Sequence, residues 1–188
     1  MRRSVPDTEA MEALGRELAA QLRAGDVVVL TGPLGAGKTT LARGLGEGLG
    51  VRGPVQSPTF VLARTHPSLV GGAPLVHVDA YRLSGAAELE DLDLDFGRSV
   101  VVVEWGSGLL DGVTDSWLEV VIARRRGDEA PRDHVPDDED LDADEPRTVE
   151  LVGHGPRWAG SPYAATPELD DRPAVRWAGR PPDADIGW

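Results

Sequence analysis

The chain is 188 residues long, enough for one domain to bury a core, and it has no cysteine, which excludes disulfides, a thiolate metal site and a cysteine nucleophile. Its net charge of −13 is concentrated: residues 128–145, DEAPRDHVPDDEDLDADE, hold ten acids against one Arg, so −9 sits there and −4 elsewhere. Such a run is a solvated, disordered insertion or a docking surface for a basic partner, and the chain offers no basic footprint for gripping nucleic acid alone.

In chain order, residues 8–24 place Met11, Leu14, Leu18 and Leu22 near one helical face, with Asp7 or Thr8 to cap the start and Gly25 after the end. Val27–Leu30, behind Asp26, is a continuous apolar run, as expected of a strand buried on both faces. Residues 39–49 predict a second helix with Leu41, Leu45 and Leu49 in register. Gly44, Gly46 and Gly48 weaken it, each by up to ~1 kcal/mol. Further strands are predicted over 60–64, 75–78, 100–103, 117–123 and 148–152, with a short helix over 86–92. Strands interleaved with helices predict an α/β fold. The last two strands have only the acidic segment between them, which predicts an antiparallel pair with an enlarged hairpin loop. From Pro156 the chain turns rich in Pro, Gly, Asp and Ala. The expected organisation is one domain over 1–158, with the acidic insertion at 127–146, and a disordered tail over 159–188. The segments PRWAG and VRWAG echo each other, and Trp158, Trp177 and Trp188 are candidate docking anchors. No run reaches the ~18 apolar residues of a membrane span, so a cytoplasmic protein with no membrane partner is expected.

Lys38 is the only lysine among nineteen basic residues. It stands in Gly32-Pro33-Leu34-Gly35-Ala36-Gly37-Lys38-Thr39, which matches GxxxxGK[ST] at every fixed position, between an apolar strand and a helix. Glycines let successive backbone N–H groups close around a phosphate chain, and the helix directs its positive end at it. In such a loop the lysine reaches the β- and γ-phosphates and the Thr39 hydroxyl binds Mg²⁺. A compact ammonium suits that position better than the planar fork of arginine, which accounts for the lone lysine. The expected fold is therefore a P-loop NTPase-like, mostly parallel sheet flanked by helices, ending in the antiparallel strand pair.

PLVHVDAYRL runs apolar into Asp79, and SVVVVEWG runs apolar into Glu104. Both acids fall where parallel strands present their C-terminal ends. One is expected to hold Mg²⁺ and the other to orient a water, and position alone does not assign the roles. Gln56-Ser57-Pro58-Thr59-Phe60 resembles a switch segment that senses the γ-phosphate, and as bare sequence fits a turn before a strand equally well. With no second lysine to build an Asn/Thr-Lys-x-Asp base-reading motif, adenine is the expected base. Of the four histidines, only His77, in the strand before Asp79, is expected near the site.

GPLGAGKTT, SPTF, HVDAYRL followed by AAELEDLDL, and VVVVEW, in this order and spacing, resemble the TsaE family, the small ATPases of bacterial tRNA threonylcarbamoyladenosine synthesis. The resemblance runs from about residue 6 to 158 and implies binding of ATP and Mg²⁺ with slow hydrolysis. It implies association with the TsaB–TsaD pair, which modifies tRNA, so that tRNA is met only through that complex. By matching position, Leu34, Gly35, Ala36, Gly37, Lys38, Thr39 and Thr40 would bind the phosphates, with Thr8 touching the nucleotide. Thr39 and Glu104 would hold Mg²⁺, and Asp79 would act beside the γ-phosphate, making Lys38, Asp79 and Glu104 the catalytic set. Ser57 and Thr59 would form the switch, and Trp105 would lie by the metal. Two other functions fit the loop alone: a small-molecule kinase, for which Arg124, Arg125 and Arg126 could be offered as a lid, and a nucleotide-gated binding module without turnover.

Overall fold

Three strands explain the core. Val27–Thr31, Leu75–Asp79 and Val100–Glu104 are buried at every position, as strands covered on both faces must be. In the computed structural model, which describes residues 1–110, 112–124 and 145–165, they are β2, β4 and β5. The chain order is β1 (Arg2–Val5), α1 (Thr8–Ala19), β2, α2 (Lys38–Gly48), β3 (Ala63–His66), β4, α3 (Ala86–Glu90), β5, β6 (Trp117–Arg124) and β7 (Arg147–His154). Short 3₁₀ turns cover Ala80–Arg82 and Pro156–Trp158.

The seven strands form one sheet in the order β1-β7-β6-β2-β5-β4-β3. Its centre is parallel: β2 pairs with β5 and β6, and β5 with β4. The other three pairings, β1 with β7, β6 with β7 and β3 with β4, are antiparallel. The sheet is thus mixed rather than mostly parallel, because each flank is finished by a hairpin-like partner. The expected antiparallel pair is β6 with β7, in register from Trp117 opposite His154 to Arg124 opposite Arg147.

Helices α1 and α2 cover one face. Met11, Leu14 and Leu18 of α1 and Leu41 and Leu45 of α2 pack onto Val28, Leu30, Leu75, Val100, Val102, Leu118 and Val120. The glycines that weaken α2 on paper let the two helices touch: a Cβ on Gly44 would stand 2.2 Å from the Glu12 carbonyl oxygen, and one on Gly15 2.6 Å from that of Leu41. On the other face Val27, Val29, Val76, Val78, Val101 and Val103 meet Leu89 of α3 and Leu110.

Several expectations shift. The first helix ends at Ala19 rather than 24, and β1, too short to show a period, was not foreseen. The strand expected at 60–64 starts at Ala63, because Leu62 is held at φ 63° and Phe60 is 90% exposed. Packed chain continues past 158, where the tail was expected to begin. Trp158 is 2% exposed and Tyr163 3% exposed, both inside the α1/α2 core, so Trp158 is a core residue and not a docking anchor. Arg157 forks onto Asp26 at 2.8 and 2.9 Å and also donates to the Gln21 carbonyl. The acidic run expected at 127–146 falls almost wholly outside the described residues, as do Arg125, Arg126, Trp177 and Trp188.

Candidate active site

Parallel pairing puts three strand ends side by side. Leu30 of β2 is in register with Glu104 of β5, and Glu104 with Asp79 of β4. Paired residues on parallel strands share a face, and here it is the α1/α2 face. The chain after β2 turns through Gly32–Gly37 into α2, so the start of that helix lies over the two acids. Gly35 and Gly37 take the turn at φ 70° and 103°, left-handed backbone that glycine adopts without strain. Gly37 is the N-cap of α2 and offers no side-chain cap. The first-turn N–H groups are therefore left for another acceptor, the arrangement that suits an anion.

Between these parts lies a cleft of about 310 Å³, lined by Leu34–Thr39, Ser57, Thr59, Asp79, Glu104 and Trp105. Most residues singled out in the sequence converge on it. Thr8 and Thr40 do not: Thr8 opens α1 and Thr40 lies within the first turn of α2, and neither is among the lining residues. Arg124, offered for a lid, does not line it either.

Lys38 is 5% exposed. Its ammonium donates to the carbonyls of Gly32 (3.0 Å) and Pro33 (2.9 Å) and rests 3.7 Å from the centre of the Trp105 ring. Burial pushes its pKa down from 10.5 to about 8, and the charges of Glu104 and Asp79 oppose that fall. Thr39 Oγ1 donates to Glu104 Oε1 at 3.0 Å, and His77 Nε2 lies 2.9 Å from the same oxygen. Asp79 is 5% exposed, and its Oδ1 accepts from the Tyr81 N–H at 3.0 Å. Ser57 and Thr59, which also line the cleft, join hydroxyls at 2.8 Å.

The donors fit a hard cation. Thr39 and Glu104 present oxygen only, and no group of three or more His, Cys, Asp or Glu able to hold a metal occurs among the described residues. One or two protein oxygens without a closed cage is how proteins hold Mg²⁺ when phosphates and waters complete its shell.

The sequence had placed His77 near the site without its bond to Glu104. The signal was available: His77 and Asp79 are two apart on one strand, so they share a face. The stacking of Lys38 on Trp105 left no trace, since it depends on Trp105 taking φ 63°.

The family described as "Threonylcarbamoyl adenosine biosynthesis protein TsaE" matches residues 5–132. The tRNA threonylcarbamoyladenosine biosynthesis protein TsaE of Streptomyces coelicolor is 59% identical over 152 residues, covering 79% of this chain and 94% of that protein. That of Bacillus subtilis is 40% identical over 124 residues, covering 64% and 76%. The crystal structure of Bacillus subtilis YdiB superposes with a TM-score of 0.58 at 28% identity, covering 83% of this chain and 86% of that one. The chain belongs to the TsaE family of threonylcarbamoyl adenosine biosynthesis proteins.

Proposed function

We propose that this protein is a Mg²⁺-dependent ATPase of the tRNA N6-threonylcarbamoyladenosine machinery, cytoplasmic and acting with a TsaB–TsaD complex through which alone it meets tRNA. One observation carries the reading: the uncapped start of α2, with Lys38 and Thr39, faces two acids held in register on adjacent strands, Asp79 and Glu104. The loop and sheet centre then act as those of a P-loop NTPase. A relationship to proteins named for threonylcarbamoyladenosine biosynthesis supports the process, and no helix among the described residues is long and apolar enough to cross a membrane.

Each residue has a task the geometry supports. The loop from Leu34 to Lys38 offers main-chain N–H groups and the α2 dipole to the β- and γ-phosphates. Lys38 leaves the Gly32 and Pro33 carbonyls to neutralise charge on the transferred phosphoryl group. Thr39 and Glu104 would hold Mg²⁺, which would supply positive charge to offset that of the phosphates. Asp79, fixed by the Tyr81 N–H, keeps its second carboxylate oxygen to orient the attacking water. Ser57 and Thr59, in the cleft lining, sense the γ-phosphate. Catalysis is then positioning and charge neutralisation.

The test is phosphate release with MgATP, alone and with TsaB–TsaD, together with calorimetry of MgATP binding. Slow turnover that the partners stimulate, and that Lys38→Ala abolishes, is expected. No heat on adding MgATP, or a Lys38→Ala chain that turns over like wild type, defeats the proposal.

A further inference from the structure

We infer, resting on the nucleotide-site reading above, that His77 is a positioning residue that holds the Glu104 carboxylate in the orientation a divalent cation needs. His77 is 0% exposed, in a β4 whose other positions are Leu75, Val76, Val78 and Asp79. Its Nε2 lies 2.9 Å from Glu104 Oε1. A carboxylate can only accept, so Nε2 donates. Nδ1 is buried with no hydrogen-bond partner among the described residues. The ring thus makes one polar contact, on the acid beside the phosphate loop, and leaves its other nitrogen unsatisfied to do so. An apolar residue would fill the same space without an orphaned nitrogen, so packing alone does not explain an imidazole here.

The geometry says what the contact achieves. Two donors, His77 from beneath and Thr39 from α2, converge on Oε1. No hydrogen bond among the described residues engages Oε2, which is left for a cation in the cleft. Side chains that orient a metal ligand in this way set its affinity while touching neither metal nor substrate. They matter most where the protein supplies few ligands, as with Thr39 and Glu104 here.

The experiment measures Mn²⁺ binding by electron paramagnetic resonance, with a non-hydrolysable ATP analogue bound, and separately measures analogue binding in EDTA. His77→Leu is expected to weaken Mn²⁺ binding by about tenfold or more and to leave analogue binding in EDTA unchanged. His77→Gln, whose amide N–H reaches the place of Nε2, is expected to recover most of the loss. Should Leu prevent folding, His77→Asn, polar but too short to reach Glu104, takes its place. Wild-type Mn²⁺ affinity in the Leu or Asn variant overturns the assignment. So does an equal loss of analogue binding in EDTA, or a Gln variant no better than Leu. A wild-type chain that binds no analogue, with or without Mn²⁺, overturns the nucleotide-site reading itself, whereas one that binds the analogue but no Mn²⁺ overturns the role of His77 and leaves nucleotide binding standing.

Discussion

The Lys38 ammonium lies 3.7 Å above the centre of the Trp105 indole, held there by two carbonyls of its own loop. Trp105 reaches that position by adopting φ 63°, where a bulky residue is strained, and Tyr81 packs edge-on against it at 5.5 Å. A phosphate chain in the loop must draw the ammonium off the ring. Titration with MgATP is therefore expected to change tryptophan fluorescence, and Trp105→Phe to remove the change although four other tryptophans remain. An unaltered response in that variant excludes Trp105 as its source.

The pKa of Lys38 gives a pH dependence with a definite sign. Burial holds the free ammonium at about 8, below its ordinary 10.5. The folded chain therefore binds fewer protons than the unfolded chain between these values, and this group's contribution to stability rises with pH across that window. Phosphate beside the ammonium raises its pKa again, so above about pH 8 the complex holds a proton that the free protein has released. Nucleotide binding there is expected to take up a proton and to weaken as pH rises. Calorimetry in buffers of differing ionisation heat reads the uptake directly, and an identical heat in all of them would rule it out.

Asp79 and Glu104 stand side by side on adjacent paired strands, yet their contacts differ. Glu104 is bonded to Thr39 and His77, whereas among the described residues Asp79 holds only the Tyr81 N–H. Asp79→Asn is expected to keep MgATP affinity and lower turnover by about 100-fold or more, the scale of losing a positioned acid or base. Glu104→Ala is expected to lose cation dependence of binding first. Both variants are separated by measuring binding and single-turnover hydrolysis side by side. The reverse pattern would exchange the two roles.

The sheet centre and the loop were legible because their signals are local: continuous valine runs for buried strands, and glycines at fixed offsets from Lys38. Asp79 and Glu104 were legible because each ends such a run. Mixed pairing was not, since the partner of β3 is set by where the chain returns and not by composition. The edge strand Arg2–Val5 has too few residues to display a period, and only its pairing with β7 makes it a strand. Trp158 and Tyr163 sit in Pro- and Gly-rich text that reads as tail, and their partners, Arg157 held on Asp26 beside Trp158 and Gln21 and Gly153 on Tyr163, are distant in sequence and invisible there.

Gly44 sets two magnitudes against each other. By helix propensity, Gly44→Ala gains up to ~1 kcal/mol. By packing, the new Cβ meets the Glu12 carbonyl oxygen at 2.2 Å, a backbone atom that cannot swing aside. Overpacking of that kind costs about 1–3 kcal/mol, so the net effect is a loss of stability. Thermal unfolding is expected to show a lower midpoint for Gly44→Ala, and an equal or higher midpoint would mean that α1 and α2 are not in contact here.

Arg157 ties the chain after β7 to the core. Asp26 is 4% exposed, and besides the guanidinium its carboxylate accepts, among the described residues, only the Arg23 N–H. Removing Arg157 leaves a buried carboxylate with one donor and takes away the cation packed 4.5 Å over the Trp158 ring. Broken charged hydrogen bonds of this kind cost about 1.5–3 kcal/mol together with the desolvation of the orphaned acid. Urea unfolding of Arg157→Ala is expected to fall by that order, and Asp26→Asn, which keeps an oxygen acceptor without leaving a charge, to lose less. Tyr163 extends this anchoring past 158, since its hydroxyl takes a hydrogen bond from Gln21 at 2.7 Å and its carbonyl one from Gly153. A chain stopped after Trp158 therefore loses contacts on both the turn after α1 and β7, and should unfold at lower urea than the full chain. Equal midpoints for the two would return the domain boundary to 158.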